Sequence, residues 1–409
     1  MASERARAWL LSGARTPIGT FLKTLRSVPV EKLAENSISA CLRRSKVSTE
    51  EIDGLILGHG YQSSYAPNTA RCAALAAGLP ASIPCMTVQR QCGSGMEAIN
   101  LAMKDVFLGN GDLYLAGGAE SMSGVPYLLP ATTRTKGVIA QQMGKKFGQF
   151  GPRPVVGVLA DDGLVPRSLM WDTKTTHMAA TAERLADTYN VSRQEADAFA
   201  FRSQQLAAAA RKSGRFDREI EAVDVKGRGI FEQDEHMRET SLEKLASLRG
   251  VHRTKNITAG NSSGINDGAC IVAIGSDAYI EQTGYKPLAE LVDCAVVGLD
   301  PEQMGLGPVF AIRKLLRRNE LDLSDIDLFE INEAFAAQYV ACEKLLGLDR
   351  EKVNVNGGAI ALGHPIGMSG ARLVLTLAHE LVERGLKRGI ASLCIGGGMG
   401  IATLVEVHS

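Results

Sequence analysis

The 409-residue sequence has no surplus of charge: 45 Lys and Arg face 45 Asp and Glu. A balanced chain carries no global basic field that would draw it to nucleic acid or an anionic membrane, so neither is expected as a partner. No CxxC pair occurs among the eight cysteines, at 41, 72, 85, 92, 270, 294, 342 and 394, and no histidine stands at ligand spacing from them. That argues against zinc, and no metal site is expected. No apolar run approaches the length of a membrane span. The opening MASERARAWLL mixes acid and base without a long apolar stretch, so no signal peptide is expected. The final VEVHS is not a peroxisomal address of the SKL type. The thiols are then expected to be reduced and cytoplasmic, most of them acting as small buried hydrophobes.

What remains is ordinary in bulk and unusual in detail. Hydrophobic residues make up 45% and charged residues 22%, as in soluble globular proteins, and the length suggests two or three domains. The 43 glycines concentrate in a few runs. Three of these runs carry chemistry: QCGSG around Cys92, ALGHPIGMSG around His364 and LCIGGGMG around Cys394. Small residues let a substrate approach a sulfur closely and free backbone N–H groups for an oxyanion.

The chain echoes itself. VSTEEIDGLILGHG (47–60) resembles LDLSDIDLFEINEA (321–334), with Ser48 and Ser324 as helix-start or turn residues. CMTVQRQCGSGMEAINLAMKDV (85–106) resembles VNVNGGAIALGHPIGMSGARLVLTLAHEL (353–381), each running from a short strand through a small-residue turn into an amphipathic helix. GDLYLAGGAESMSG (111–124) resembles RGIASLCIGGGMGIATLVEV (388–407). Apolar strands without alternation, separated by helices, predict sheets buried on both faces, here as a duplicated α/β half. Between the halves, residues 125–255 are charged and include a helix opening at Ser192 with Glu195 three residues on, a capping box, and stopping near Gly214. The Gly/Pro-rich stretch 147–163 reads as loop, and the whole middle region as an inserted lid.

Cys92 follows a strand-like segment and precedes a helix, where the positive end of the helix dipole favours thiolate. A lone cysteine is more often simply buried; Gly93 and Gly95 beside it favour function, because a packed core position has no need of them. His364 stands just before a second helix, between Gly363 and Pro365, where it can take a thiol proton or merely bond to backbone. Cys394 ends a buried strand, the usual place for ligands in α/β sheets. The glycines after it lead into a strand, which disfavours a helix-start phosphate cradle. Asn332 opens NEAF at another strand end, as an oxyanion or water ligand or as a plain turn residue; Glu333 is either solvated or orients His364.

With these motifs in hand the sequence is identified as resembling the thiolases. QCGSG (91–95), NEAF (332–335), GHPIGMSG (363–370) and CIGGGMG (394–400) stand in thiolase order and spacing. ARTPIG (14–19), GGAESMS (117–123), TAGNSSGINDGA (258–269) and MGLGP (304–308) add to the likeness, which runs from near residue 10 to the C-terminus. The related ketoacyl synthases lack the second cysteine in CIGGG, and lipid-carrier-type thiolases typically carry His where Asn332 stands.

The resemblance implies a five-layered α-β-α-β-α fold. Its N-terminal half would be 1–121 plus 265–287, its loop or lid domain 122–264 and its C-terminal half 288–409. It implies Cys92 as acylated nucleophile, His364 as its activator, Cys394 as acid/base, and Asn332 and Gly396 as oxyanion ligands. Arg238, Ser263, His177 and Met178 would meet coenzyme A or the acyl group, and Met304 and Phe335, with Met178, would floor a small acyl pocket. The expected activity is an acetyl-CoA C-acetyltransferase working by ping-pong on small-molecule acyl-CoA substrates. No permanently bound cofactor is implied, coenzyme A being substrate and product, and a homodimer or homotetramer is expected. A broad-chain 3-ketoacyl-CoA thiolase is the alternative; a silent CoA-binding assembly protein is a remote one. Departures from the family pattern fall at Gln89, Ala179, Arg184 and the long stretch 147–160.

Overall fold

The computed structural model describes residues 6–128, 161–162 and 177–408. Apart from Asp161–Asp162, the stretch 147–163 lies outside the described residues. The first half runs β1 (Ala8–Arg15), β2 (Gly19–Thr20), α1 (Val30–Ser45), β3 (Gly54–Gly58), α2 (Thr69–Ala76), β4 (Cys85–Val88), α3 (Ser94–Phe107) and β5 (Leu113–Ser121). The middle region holds β6 (Tyr127–Leu128), β7 (Asp161–Asp162), α4 (Met178–Thr188), α5 (Arg193–Lys212), β8 (Val223–Val225), β9 (Gly229–Phe231) and α6 (Leu242–Ala246). The chain then returns as β10 (Asn266–Ser276) and α7 (Asp277–Thr283). The second half is β11 (Ala289–Gly298), α8 (Gly307–Arg318), β12 (Leu328–Ile331), α9 (Ala336–Leu346), α10 (Ala359–Leu362), α11 (Ile366–Arg384), β13 (Arg388–Ile395) and β14 (Met399–Glu406).

The strands lie in the order β12-β13-β14-β11-β1-β10-β5-β3-β4, with β2 beside β10. In one arm β4, β3 and β5 are parallel and β10 and β1 antiparallel. The other arm repeats this: β12 is parallel to β13, then β14 and β11 run antiparallel, and Val353 makes a parallel bridge to Phe329 where the counterpart of β4 belongs. The arms meet where Ala8–Leu10 pair with residues 289–291. The repeat legible in the sequence is therefore a repeat of strand order and direction.

Apolar strands without alternation make sense in this arrangement, because neighbouring residues feed different layers. On β1, Leu10 packs with the central cluster and Trp9 and Leu11 with the outer one; on β3, Ile56 and the pair Leu55 and Leu57 divide the same way. Helices α1 and α2 cover the outer face of the first arm, and α8 and α9 that of the second. Between the arms α3 and α11 pack together through Met96, Ile99, Leu373 and Leu377. The layers are thus α-β-α-β-α. The central layer is tight enough that a Cβ on Gly118 would fall 1.9 Å from the Gly367 carbonyl oxygen, and one on Gly95 2.6 Å from it.

The middle region is moored to the first strand by charge. Arg15, wholly buried, bonds Asp234 through both terminal nitrogens at 2.8 and 2.9 Å and Glu219 at 3.1 Å. Ser192 and Glu195 form the capping box at the start of α5, and Gly214 follows its end with φ 74. Ser324 sits inside a short 3-10 turn opened by Asp322, where the Asp325 carboxylate accepts the Asp322 N–H at 2.8 Å. Among the described residues, no helix is long and apolar enough to cross a membrane.

Candidate active site

The C-terminal ends of the parallel strands point to one region, and the motifs gather there. After β4 the chain makes a tight turn in which Gln91 takes φ 45. Ser94 secures that turn, donating from Oγ to the Gln91 carbonyl at 2.6 Å and accepting from the Arg90 N–H at 2.8 Å. Cys92 stands between, half-buried, two residues before α3. The thiol is pushed up to about 11, chiefly by burial, with the Glu120 charge adding to the rise and the Gly396 and Cys92 N–H groups opposing it. Desolvation therefore works against the thiolate that the helix start favours, and it leaves the resting residue a thiol.

The histidine turn is defined from two sides. Gly363 has φ 108, and a Cβ there would fall 2.6 Å from the Asn266 side chain. The Asn266 Oδ1 accepts the His364 backbone N–H at 2.9 Å. The His364 Nδ1 lies 2.6 Å from the Ser369 Oγ, and that hydroxyl donates to the Pro365 carbonyl at 2.8 Å. With its proton committed there, Ser369 can only accept from the ring, so the proton is assigned to Nδ1 and Nε2 is bare. Asn332 Nδ2 lies 3.4 Å from that Nε2. Burial, aided by the Arg372 charge, lowers His364 to about 4. Ser369→Ala should free the tautomer and lower kcat by about 10- to 100-fold, a part of what a positioned base contributes; steady-state kinetics on a variant with unchanged circular dichroism checks this.

Cys394, 1% exposed near the end of β13, packs with Met304 and Ala334, with Met178 and Phe335 along the edge of the same cluster. Its thiol is raised well above the ordinary range by burial first and by the Cys92 charge second. The glycines at 396–398 turn the chain into β14, as the sequence predicts.

Three residues quoted within motifs but given no role stand out. Ser369 and Asn266 fix His364. Glu120, at the end of β5, is fully buried; its Oε2 accepts the N–H groups of Gly60 and Gly367 at 2.9 Å each, and its Oε1 that of Tyr61 at 3.2 Å and faces His59 Nε2 at 3.2 Å. It thus joins the loop after β3 to the start of α11, just behind His364. Glu120→Ala would strand these donors and should destabilise the fold by about 3–5 kcal/mol, as breaking buried charged networks does, read from urea unfolding. Glu333 neither faces solvent nor orients His364: it is 0% exposed and bonds Ser203, Asn354 and the Ile360 N–H.

The outer candidates form a looser group. Arg238 is exposed, donating to the Ala259 carbonyl at 3.3 Å and lying 3.3 Å from His236. The Ser263 N–H donates to the Ala334 carbonyl at 3.0 Å, next to Phe335. His177 caps α4 by accepting the Ala179 N–H and stacks on His252 with ring centroids 3.5 Å apart, so it is tied to backbone and ring while its neighbour Met178 joins the Cys394 cluster. Among the described residues no group of His, Cys, Asp and Glu could hold a metal ion.

A half-buried thiol, a buried thiol and a buried imidazole thus stand at strand ends of a duplicated α/β fold, an arrangement that fits an acyl-transfer enzyme. Residues 9–278 match the family model of the thiolase N-terminal domain and 285–407 that of the thiolase C-terminal domain. The chain is 42% identical to the acetyl-CoA acetyltransferase of Syntrophomonas wolfei, over 97% of this chain and 98% of that protein, and 42% identical to that of Cupriavidus necator over the same shares. Among solved structures, the Bacillus anthracis acetyl-CoA acetyltransferase superposes with a TM-score of 0.89 at 42% identity, covering 99% of this chain and 100% of the other. Human mitochondrial 3-ketoacyl-CoA thiolase in complex with CoA gives 0.89 at 39% identity, covering 99% and 98%. The chain belongs to the thiolase family and is an acyltransferase.

Proposed function

We propose that the protein is an acetyl-CoA C-acetyltransferase that interconverts two acetyl-CoA with acetoacetyl-CoA and CoA. In thiolysis His364 Nε2 takes the Cys92 proton and the sulfur attacks the 3-keto carbon. The C2–C3 bond breaks, and the electron pair leaves as the acetyl-CoA enolate. Cys394, a thiol at rest, protonates C2. Coenzyme A then attacks acyl-Cys92, giving up its thiol proton to the Cys394 thiolate; Cys92 leaves as thiolate and regains its proton from His364, and the acyl-CoA departs. The N–H groups of Cys92 and Gly396 stabilise the tetrahedral oxyanion; one such donor typically contributes about 3 kcal/mol to the transition state. Imidazolium His364 and Asn332, the latter through a water, hold the enolate oxygen. The Asn332 Oδ1 is buried without a protein partner among the described residues, which suits a water ligand.

The observation that carries this reading is the close approach of the three motif turns: a Cβ on Gly93 would fall 2.6 Å from Ile395, next to Cys394, and one on Gly95 2.6 Å from the Gly367 carbonyl oxygen, three residues after His364. Arg238, Ser263, His177 and Met178 are proposed to meet coenzyme A and the acyl thioester, and Met304 and Phe335 to close a small acyl pocket. No permanently bound cofactor is proposed. The likeness to the human 3-ketoacyl-CoA thiolase favours one alternative, a broad-chain enzyme of fatty-acid breakdown. Thiolysis of acetoacetyl-CoA alongside a longer 3-ketoacyl-CoA decides: faster turnover of the shorter substrate supports the acetyltransferase, a preference for the longer one supports the alternative, and silence on both overturns both.

The division into 1–121 plus 265–287, 122–264 and 288–409 is proposed as the domain organisation, supported by β5 ending at Ser121 and β10 starting at Asn266. A cytoplasmic homodimer or homotetramer is proposed as well. The oligomer is supported by the edge of β4, uncovered among the described residues, where Met86 is 45% exposed and nearby Tyr65 88%. Light scattering at the mass of one 43.6 kDa chain would contradict it.

A further inference from the structure

We propose that Gln338 and Cys342, assisted by Arg184, determine acyl-chain preference as positioning residues that hold Met304 at the floor of the pocket. The inference rests on the reading of Cys92 and Cys394 as the reacting thiols.

Met304 lies in the short helical segment Pro301–Leu306 between β11 and α8, packed on Cys394 and Ala334. Methionine is unbranched and adaptable, so its value as a wall depends on how firmly its backbone is held. The Gly305 carbonyl accepts two hydrogen bonds from α9, from Gln338 Nε2 at 3.1 Å and from the Cys342 thiol at 3.2 Å. Gln338 Nε2 also faces the Cys342 sulfur at 3.6 Å, closing the set. Gly305 has no slack: a Cβ there would fall 2.6 Å from Leu185 of α4 and 2.7 Å from Gln338. From the other side Arg184 of α4, one of the positions where the sequence departs from the family pattern, pairs with Glu302. That pair is partly exposed and holds more weakly than the buried bonds. Behind the segment the Leu299 N–H donates to the Gly398 carbonyl at 2.8 Å, so the floor is stitched to the glycine turn that carries Gly396.

The Gln338 side chain keeps its Oε1 buried without a partner among the described residues. An orphan acceptor destabilises a core, so the position retains glutamine for its donor rather than for packing. Gln338→Met removes the donor and the orphan acceptor together at similar length, and the fold should survive. Cys342→Val removes the second donor at similar volume, and Arg184→Asn opens the outer tie at the surface.

The test measures kcat/KM for acetoacetyl-CoA and for a 3-keto-octanoyl-CoA in the full-length enzyme and these variants. Gln338→Met should lower the ratio of short- to long-chain kcat/KM by about tenfold, the low end of what a methylene-sized change in a pocket does. Most of the change should come from a lower KM for the longer substrate. Cys342→Val and Arg184→Asn should move the ratio the same way by less. Equal loss on both substrates, or an unchanged ratio in all the variants that fold, would overturn the proposal. Failure of the underlying reading is separable, because wild-type protein would then turn over neither substrate.

Discussion

Cys92→Ala should lower acetoacetyl-CoA thiolysis by at least about 10⁴-fold while leaving a folded protein, because removing a covalent nucleophile leaves only binding and oxyanion contacts. Cys92 is half-buried in a turn secured by Ser94 rather than by its own side chain. Alanine removes only the sulfur and leaves the Gln91–Ser94 turn intact, so unfolding midpoints should barely move. The loss should fall on kcat, with KM for the acyl-CoA nearly unchanged, since no proposed CoA contact involves the thiol. A parallel loss of stability, or residual turnover within tenfold of wild type, would count against Cys92 as the acyl carrier.

The next largest effect is expected at His364. With the Cys92 thiol pushed up to about 11, only about one molecule in 10⁴ carries a free thiolate at pH 7, so the reaction needs a base at the sulfur. His364→Ala should therefore slow acylation of Cys92 by about 10²- to 10⁴-fold at pH 7. The pH dependence gives the sign. Wild-type His364, lowered to about 4, is neutral and able to accept a proton from about pH 5 upward, so the acylation rate should be nearly flat between pH 5.5 and 8.5 and fall only toward pH 4. In His364→Ala the thiolate must come from ionisation alone, and the rate should climb about tenfold per pH unit over that range. Stopped-flow acylation across pH checks both slopes. A wild-type acid limb centred near 6.5, the ordinary histidine value, would contradict the buried, neutral base.

The fold was legible because its logic is local. Strands such as β3 and the first part of β5 are apolar on successive residues, as a doubly covered sheet requires, and glycines mark where backbones meet, as Gly95 and Gly118 do over the Gly367 carbonyl. Met304, Phe335 and Met178, grouped by motif likeness, do pack together, with Cys394. What the chain did not reveal depends on enclosure and on partners far apart along it. The rise of the Cys92 thiol comes from protein packed around it, and a helix start visible in the sequence could only suggest the opposite direction. Glu120 bonds residues 60 and 247 positions away, so nothing near GGAESMS discloses its work. Glu333, next to Asn332, looked available to His364, yet Ser203 and Asn354 occupy it, and the orienting role falls to Ser369 on the first turns of α11.

The most direct test is mass spectrometry of the intact enzyme and its peptides after brief exposure to acetyl-CoA and acid quench. One acetyl group should appear on the peptide containing Cys92, vanish when coenzyme A is added before the quench, and be absent in Cys92→Ala. Acetylation of Cys394 or of no residue in an active preparation would contradict the ping-pong mechanism. A protein that binds acetyl-CoA, stays unlabelled and turns over no substrate would instead be a CoA-binding member of the fold without catalysis.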